Sequence, residues 1–141
     1  MRNITIKFLI IACVILFDSC YTTLVQRQKN DEELEMQQWI NEARKIEGLI
    51  IEGTVGYYEY PGGRNQRQEK GFTLNYYNWV FNNPSGRIDR IYIGEYIDSS
   101  YIRKKVRILG TYNRDWGNEF DHTVRVYITP IKIKILNNTA G

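Results

Sequence analysis

The sequence predicts a mainly β domain in which five strands close into a small Greek-key barrel, preceded by one helix. Three observations carry this expectation. Residues 49–136 contain repeated runs in which apolar and polar residues alternate, the period of a half-buried strand. Clusters of turn-forming residues punctuate those runs, as at Asn82-Asn83-Pro84-Ser85-Gly86. Just upstream, Met36, Trp39, Ile40, Ala43 and Ile46 recur at helical spacing and form one apolar stripe.

The helix is expected over 30–48. Asn30 stands at a capping position with Glu33 three residues on, as in a capping box. Its first turn is acidic, and Arg44 and Lys45 in its last turn complement the helix dipole. Gly48 is placed to end it. Trp39 on the apolar stripe reads as a core residue rather than a ligand contact.

The first strand is expected over 49–60, with Leu49, Ile51, Val55 and Tyr57 on one face and a bulge or bend at Gly53 and Gly56. A polar loop follows over 61–70. The second strand, 71–81, is rich in aromatic residues, and the third, 87–93, points Ile91 and Ile93 inward. Residues 94–104 read as irregular with room for a helical turn. The fourth strand spans 105–112, with Val106, Ile108 and Gly110 alternating against charge. Residues 113–122 form a hairpin loop, and the fifth strand covers 123–136, bent at Thr129-Pro130 because proline donates no ladder hydrogen bond. The tail 137–141 is expected to fray. An open antiparallel β-sandwich would share this core and change only the pairing.

The stretch Lys104–Tyr112, a loop, then Val124–Ile128 and Ile131–Leu136 resembles the closing hairpin of an OB-fold, and the resemblance covers roughly Ile50 to Leu136. Such barrels bind through the face of strands two and three and the loops joining strands one–two and four–five. The resemblance therefore implies a ligand-binding set of Arg64, Arg67 and Lys70 in the first loop, Tyr77 and Trp79 on strand two, Arg90 on strand three, and Arg114 and Trp116 in the later loop. Rings beside basic groups stack on sugars or bases and pair with anions. For any single ring, packing is the stronger explanation, because strands favour Tyr and Trp for packing alone. The binding case rests on the cluster.

The N-terminus states an address. Met1–Lys7 is short and basic, Phe8–Phe17 is an unbroken run of ten apolar residues, and Ser19-Cys20 follows. A membrane-spanning helix needs ~20 apolar residues, whereas this run matches the apolar core of a secretory signal. Ending on cysteine, it resembles a bacterial lipoprotein signal, with Phe17-Asp18-Ser19 as a relaxed form of the box before the lipidated residue and Asp18 as its departure. The resemblance implies a signal at 1–19, acyl chains such as palmitate on Cys20, a tether over 20–29, and an extracytoplasmic place in the bacterial cell envelope. An uncleaved anchor and simple secretion are the alternatives. Cys13 would leave with the signal, so the mature chain would hold Cys20 alone, with no internal disulfide and no thiol metal cluster. Residues 20–141 suffice for one compact domain.

Charge is divided along the chain. Residues 30–59 hold eight acidic side chains, while 60–141 hold 13 basic against 7 acidic. That asymmetry permits an anionic partner. Nucleic acid is discounted, because the overall charge of +3 is far from that of a dedicated nucleic-acid binder and an envelope protein rarely meets one.

Catalytic signatures are missing. The chain has no Gly-x-Ser-x-Gly elbow, no His-Glu-x-x-His and no phosphate-cradling glycine loop. Asp115, Asn118, Glu119, Asp121 and His122 crowd one loop, and a metal-assisted hydrolase using them is the alternative to binding. Turn chemistry explains the same residues, so neither a metal nor a cofactor is expected. The expectation is a non-catalytic, membrane-anchored lipoprotein whose barrel binds an envelope glycan, an anionic lipid headgroup or a protein partner. A structural subunit of an envelope assembly is the third reading.

Overall fold

The computed structural model describes residues 2–60, 69–94, 97–118 and 123–137. The chain forms two compact units, Met1–Gln38 and Trp39–Gly141.

The first unit is helical throughout its described length, as part of helix α1 (Arg2–Lys45). The helix does not begin at Asn30, so Asn30 and Glu33 do not cap it. Residues 21–29, expected to be an irregular tether, are helical too. Nothing in Tyr21–Lys29 breaks a helix, and Leu, Gln, Arg and Lys all favour one. The hydroxyls of Thr22 and Thr23, which could have capped a new start, donate back to the carbonyls of Asp18 and Ser19 at 2.7 and 2.8 Å. As a helix these nine residues rise ~14 Å, about half their extended reach. Among the described residues no helix is long and apolar enough to cross a membrane.

The second unit holds the last turns of α1 and a closed barrel of five strands. These are β1 (Leu49–Tyr60), β2 (Glu69–Phe81), β3 (Arg87–Ile93), β4 (Lys105–Asn118) and β5 (Thr123–Ile135). Their order around the barrel is β1-β2-β3-β5-β4, closed by β4 pairing back to β1. All pairs are antiparallel except β3 with β5, which run parallel. This is the OB-like barrel with a preceding helix that the alternation predicts. Between β3 and β4, a short 3₁₀ turn at Ser99–Tyr101 supplies the expected helical turn.

Two strand details differ from expectation. β4 runs six residues further than predicted, because Asn113–Asn118 continue the ladder against Thr123–Tyr127. Asn113, Arg114 and Asp115 are all exposed, so this extension carries no apolar alternation to reveal it. The irregularity near Gly53 also sits on the other strand. Glu52 faces Asn78 and Thr54 faces Asn75, so Tyr76 and Tyr77 of β2 together oppose Gly53, with Tyr76 at φ +48°. The bend at Pro130 is a bulge: Leu109 pairs with Lys132 and Gly110 with Pro130, leaving Ile131 as the extra residue.

The barrel interior is filled by alternating aliphatics, among them Leu49, Ile51, Val55, Leu74, Ile91, Val106, Ile108, Val126 and Ile128. A second apolar layer lies on the outside. There Trp39 and Ala43 of α1 bury themselves against Ile50 and Leu109, with Val80 and Phe81 at the margin. The helix ends in a Schellman motif built on Glu47 at φ +52°, with the Gly48 N–H donating to Ala43 O at 2.9 Å. Gly48 follows the left-handed residue and serves close approach instead, since a Cβ there would meet Gly110 O at 2.7 Å.

Candidate functional site

The strands β3 and β5 carry nearly the same tripeptide, Arg90-Ile91-Tyr92 and Arg125-Val126-Tyr127. Parallel pairing sets them in register, Arg90 beside Arg125 and Tyr92 beside Tyr127. Ile91 and Val126 point into the core, so alternation turns both arginines and both tyrosines to the outer face. Tyr92 and Tyr127 stack there, their ring centroids 4.9 Å apart and their planes 12° from parallel.

A third ring joins from β1. Tyr58 faces Gly71 of β2, and a Cβ on Gly71 would lie 3.2 Å from the Tyr58 ring. The missing side chain lets Tyr58 reach across β2 to Tyr92, edge-on with centroids 5.1 Å apart. The result is a ladder of three rings, Tyr58, Tyr92 and Tyr127, across the outside of the barrel. Tyr92 in the middle is 8% exposed, while Tyr127 at the end is 39% exposed.

The charges around the ladder are unequal in their surroundings. Arg90 is exposed, with its guanidinium 6.0 Å from the Tyr58 and Tyr92 ring centroids. Arg125 is half-buried, and its Nε is buried without an acceptor among the described residues. Burial works to lower the Arg125 pKa, but Tyr92, a hydrogen bond with Tyr127 and nearby Asp89 outweigh it and hold the pKa above the ordinary arginine value. Asp115 of β4 stands in register with Arg125 on its other side. Chemically, the face offers ring surface for stacking and a planar cation for a carboxylate or phosphate.

The residues expected from sequence divide among several places. Arg90 belongs to the ladder. Lys70 is exposed on β2 opposite Glu59 of β1. Tyr77 and Trp79 meet each other edge-on at 5.7 Å, and Trp79 packs against the interior core rather than standing on the outer face. Arg114 braces the β2–β3 connection, donating from Nη1 to Ser85 Oγ at 2.9 Å and Ser85 O at 3.2 Å. Trp116 lies on β4 opposite Val124, a strand position and not a loop. Arg64 and Arg67 lie outside the described residues, as do Glu119, Asp121 and His122. Among the described residues no group of three or more His, Cys, Asp or Glu side chains gathers to hold a metal. Cys20 is exposed on α1, as is Cys13.

Tyr58, Arg125 and Tyr127 were not expected. The repeated Arg-aliphatic-Tyr tripeptide is the signal that would have found two of them. No known protein family matches this chain, and no curated protein or solved structure does either.

Proposed function

We propose that this protein is a non-catalytic lipoprotein of the bacterial envelope, anchored by acyl chains on Cys20, whose OB-like barrel binds an envelope glycan on the outer face of β1, β3 and β5. The observation that carries the binding half is the Tyr58–Tyr92–Tyr127 ladder with Arg90 at its side. Stacking surface on a β scaffold costs little conformational entropy, and sugar rings present flat apolar faces that match it. The anchoring half rests on the basic start, the ten-residue apolar run and Ser19-Cys20. Two or more acyl chains suffice energetically, since each buried methylene contributes ~0.8 kcal/mol.

Co-sedimentation of the full chain in detergent with purified, insoluble cell-wall sacculi tests the binding half. The wild type is expected in the pellet. Tyr58→Ala combined with Tyr127→Ala is expected to leave it in the supernatant while the barrel stays folded, with a melting midpoint lowered by the loss of two ring contacts to Tyr92 but well above the assay temperature. A double variant that pellets like the wild type would sink the proposal.

A further inference from the structure

Building on the glycan-binding reading, we infer that the glycan is acidic and that Arg90 reads its acid group. Parallel pairing of β3 and β5 places Arg90 directly beside Arg125 on one face. Arg125 is provided for within the protein: Asp89 favours its charged form, and Asp115 stands in register with it on β4. Arg90 forms no ion pair among the described residues, and its guanidinium lies 6.0 Å from the Tyr58 and Tyr92 ring centroids. A carboxylate seated on Arg90 would give it charge-assisted hydrogen bonds in the planar fork that guanidinium provides. It would do so at the margin of the ring ladder, where a sugar lying on Tyr58 or Tyr127 carries its substituents.

The charge pattern also selects the polymer. A single-stranded nucleic acid brings a phosphate at every unit and is bound by grooves that are positive along their length. Here Asp115 stands in register with Arg125 and Asp89 acts on the same guanidinium, so a continuous phosphate backbone meets repulsion as well as attraction. An acidic glycan, with its acid groups spaced along an otherwise neutral chain, sets one of them on Arg90 and a ring on the tyrosines.

The test uses one polymer in two chemical forms: sacculi as purified, and sacculi whose carboxylates have been converted to amides. The full-length protein in detergent is expected to bind the untreated form about tenfold or more tighter than the amidated form, the scale of one charge-assisted contact. Arg90→Gln should abolish that preference, so that the variant binds both forms equally. Lys104→Gln removes an exposed cation from a different segment and should keep the preference. Equal binding of the wild type to both forms overturns the inference while the glycan reading stands. An equal loss of preference in Lys104→Gln also overturns it, by showing unspecific attraction. Binding to neither form contradicts the glycan reading itself. Tighter capture of a thymidine oligonucleotide than of untreated sacculi overturns the inference in favour of nucleic acid.

Discussion

Lys132 on β5 holds its Nζ 4.7 Å from the centroid of the Trp39 ring on α1. The same ammonium lies 3.2 Å from the Glu42 carboxylate one helical turn on, and the Arg107 guanidinium lies 5.7 Å from the Trp39 ring centroid. Arg107 in turn pairs with Glu52 of β1 at 2.7 Å, both side chains mostly buried. The end of the helix is thus joined to the barrel by an apolar plug with cations placed against its ring.

The plug and the cations should contribute unequally. Trp39 is 1% exposed, so Trp39→Ala is expected to cost about 3–5 kcal/mol. Lys132→Met removes a half-exposed ion pair and one cation–ring contact, an expected loss of about 1 kcal/mol. Urea unfolding of the two variants measures both. A larger loss from Lys132→Met than from Trp39→Ala would mean that charge, and not burial, holds the helix end.

Glu47 occupies the left-handed cap of α1 at φ +52°, a conformation that glycine adopts without the Cβ penalty. Glu47→Gly is therefore expected to stabilise the fold by about 1 kcal/mol, visible as a higher melting temperature. A lower one would show that the Glu47 side chain makes a contact that outweighs the strain.

Trp79 packs against the interior core from the side of β2. Trp79→Ala should lower stability by about 2–3 kcal/mol, less than truncation of a fully buried aromatic. Its effect on glycan capture, measured well below its melting point, should be slight. Full loss of capture in a folded Trp79→Ala protein would move the binding face towards β2.

Asp98 caps the 3₁₀ turn, accepting from the Ser100 N–H at 2.7 Å. That backbone bond, followed by the Ser100 hydroxyl, holds its pKa below the ordinary aspartate value. A depressed folded pKa means that the contribution is complete above the unfolded value of about 3.9 and is lost as pH falls through the folded value. Replacing Asp98 with Asn should flatten the acid limb of stability against pH below that point. An unchanged acid limb would show that the cap is not formed in solution.

Much of the barrel was legible because burial imposes alternation. β1 and β3 begin and end where their patterns do, since Leu49, Ile51, Ile91 and Ile93 must face inward. The start of α1 was not legible. Asn30 and Glu33 have the chemistry of a cap, and only the lack of any breaker upstream argues that the helix passes through them. The end of β4 was hidden because Asn113–Asp115 meet solvent. The candidate site was half legible. The Arg-aliphatic-Tyr tripeptide is written twice, but that β3 and β5 lie side by side and parallel is a property of the barrel, and no local pattern announces it. Tyr58 was harder still, since its place depends on the gap left by Gly71 across the strand.

The proposed function stands or falls with display of the barrel in the envelope from a lipid on Cys20. Its most direct test is the intact mass of the membrane-bound protein made with its own N-terminus, compared with Cys20→Ala. The expected species starts at Cys20 and carries acyl chains, and it is lost in the variant. A mass starting at Met1 in both would contradict it and leave the apolar run as an uncleaved segment.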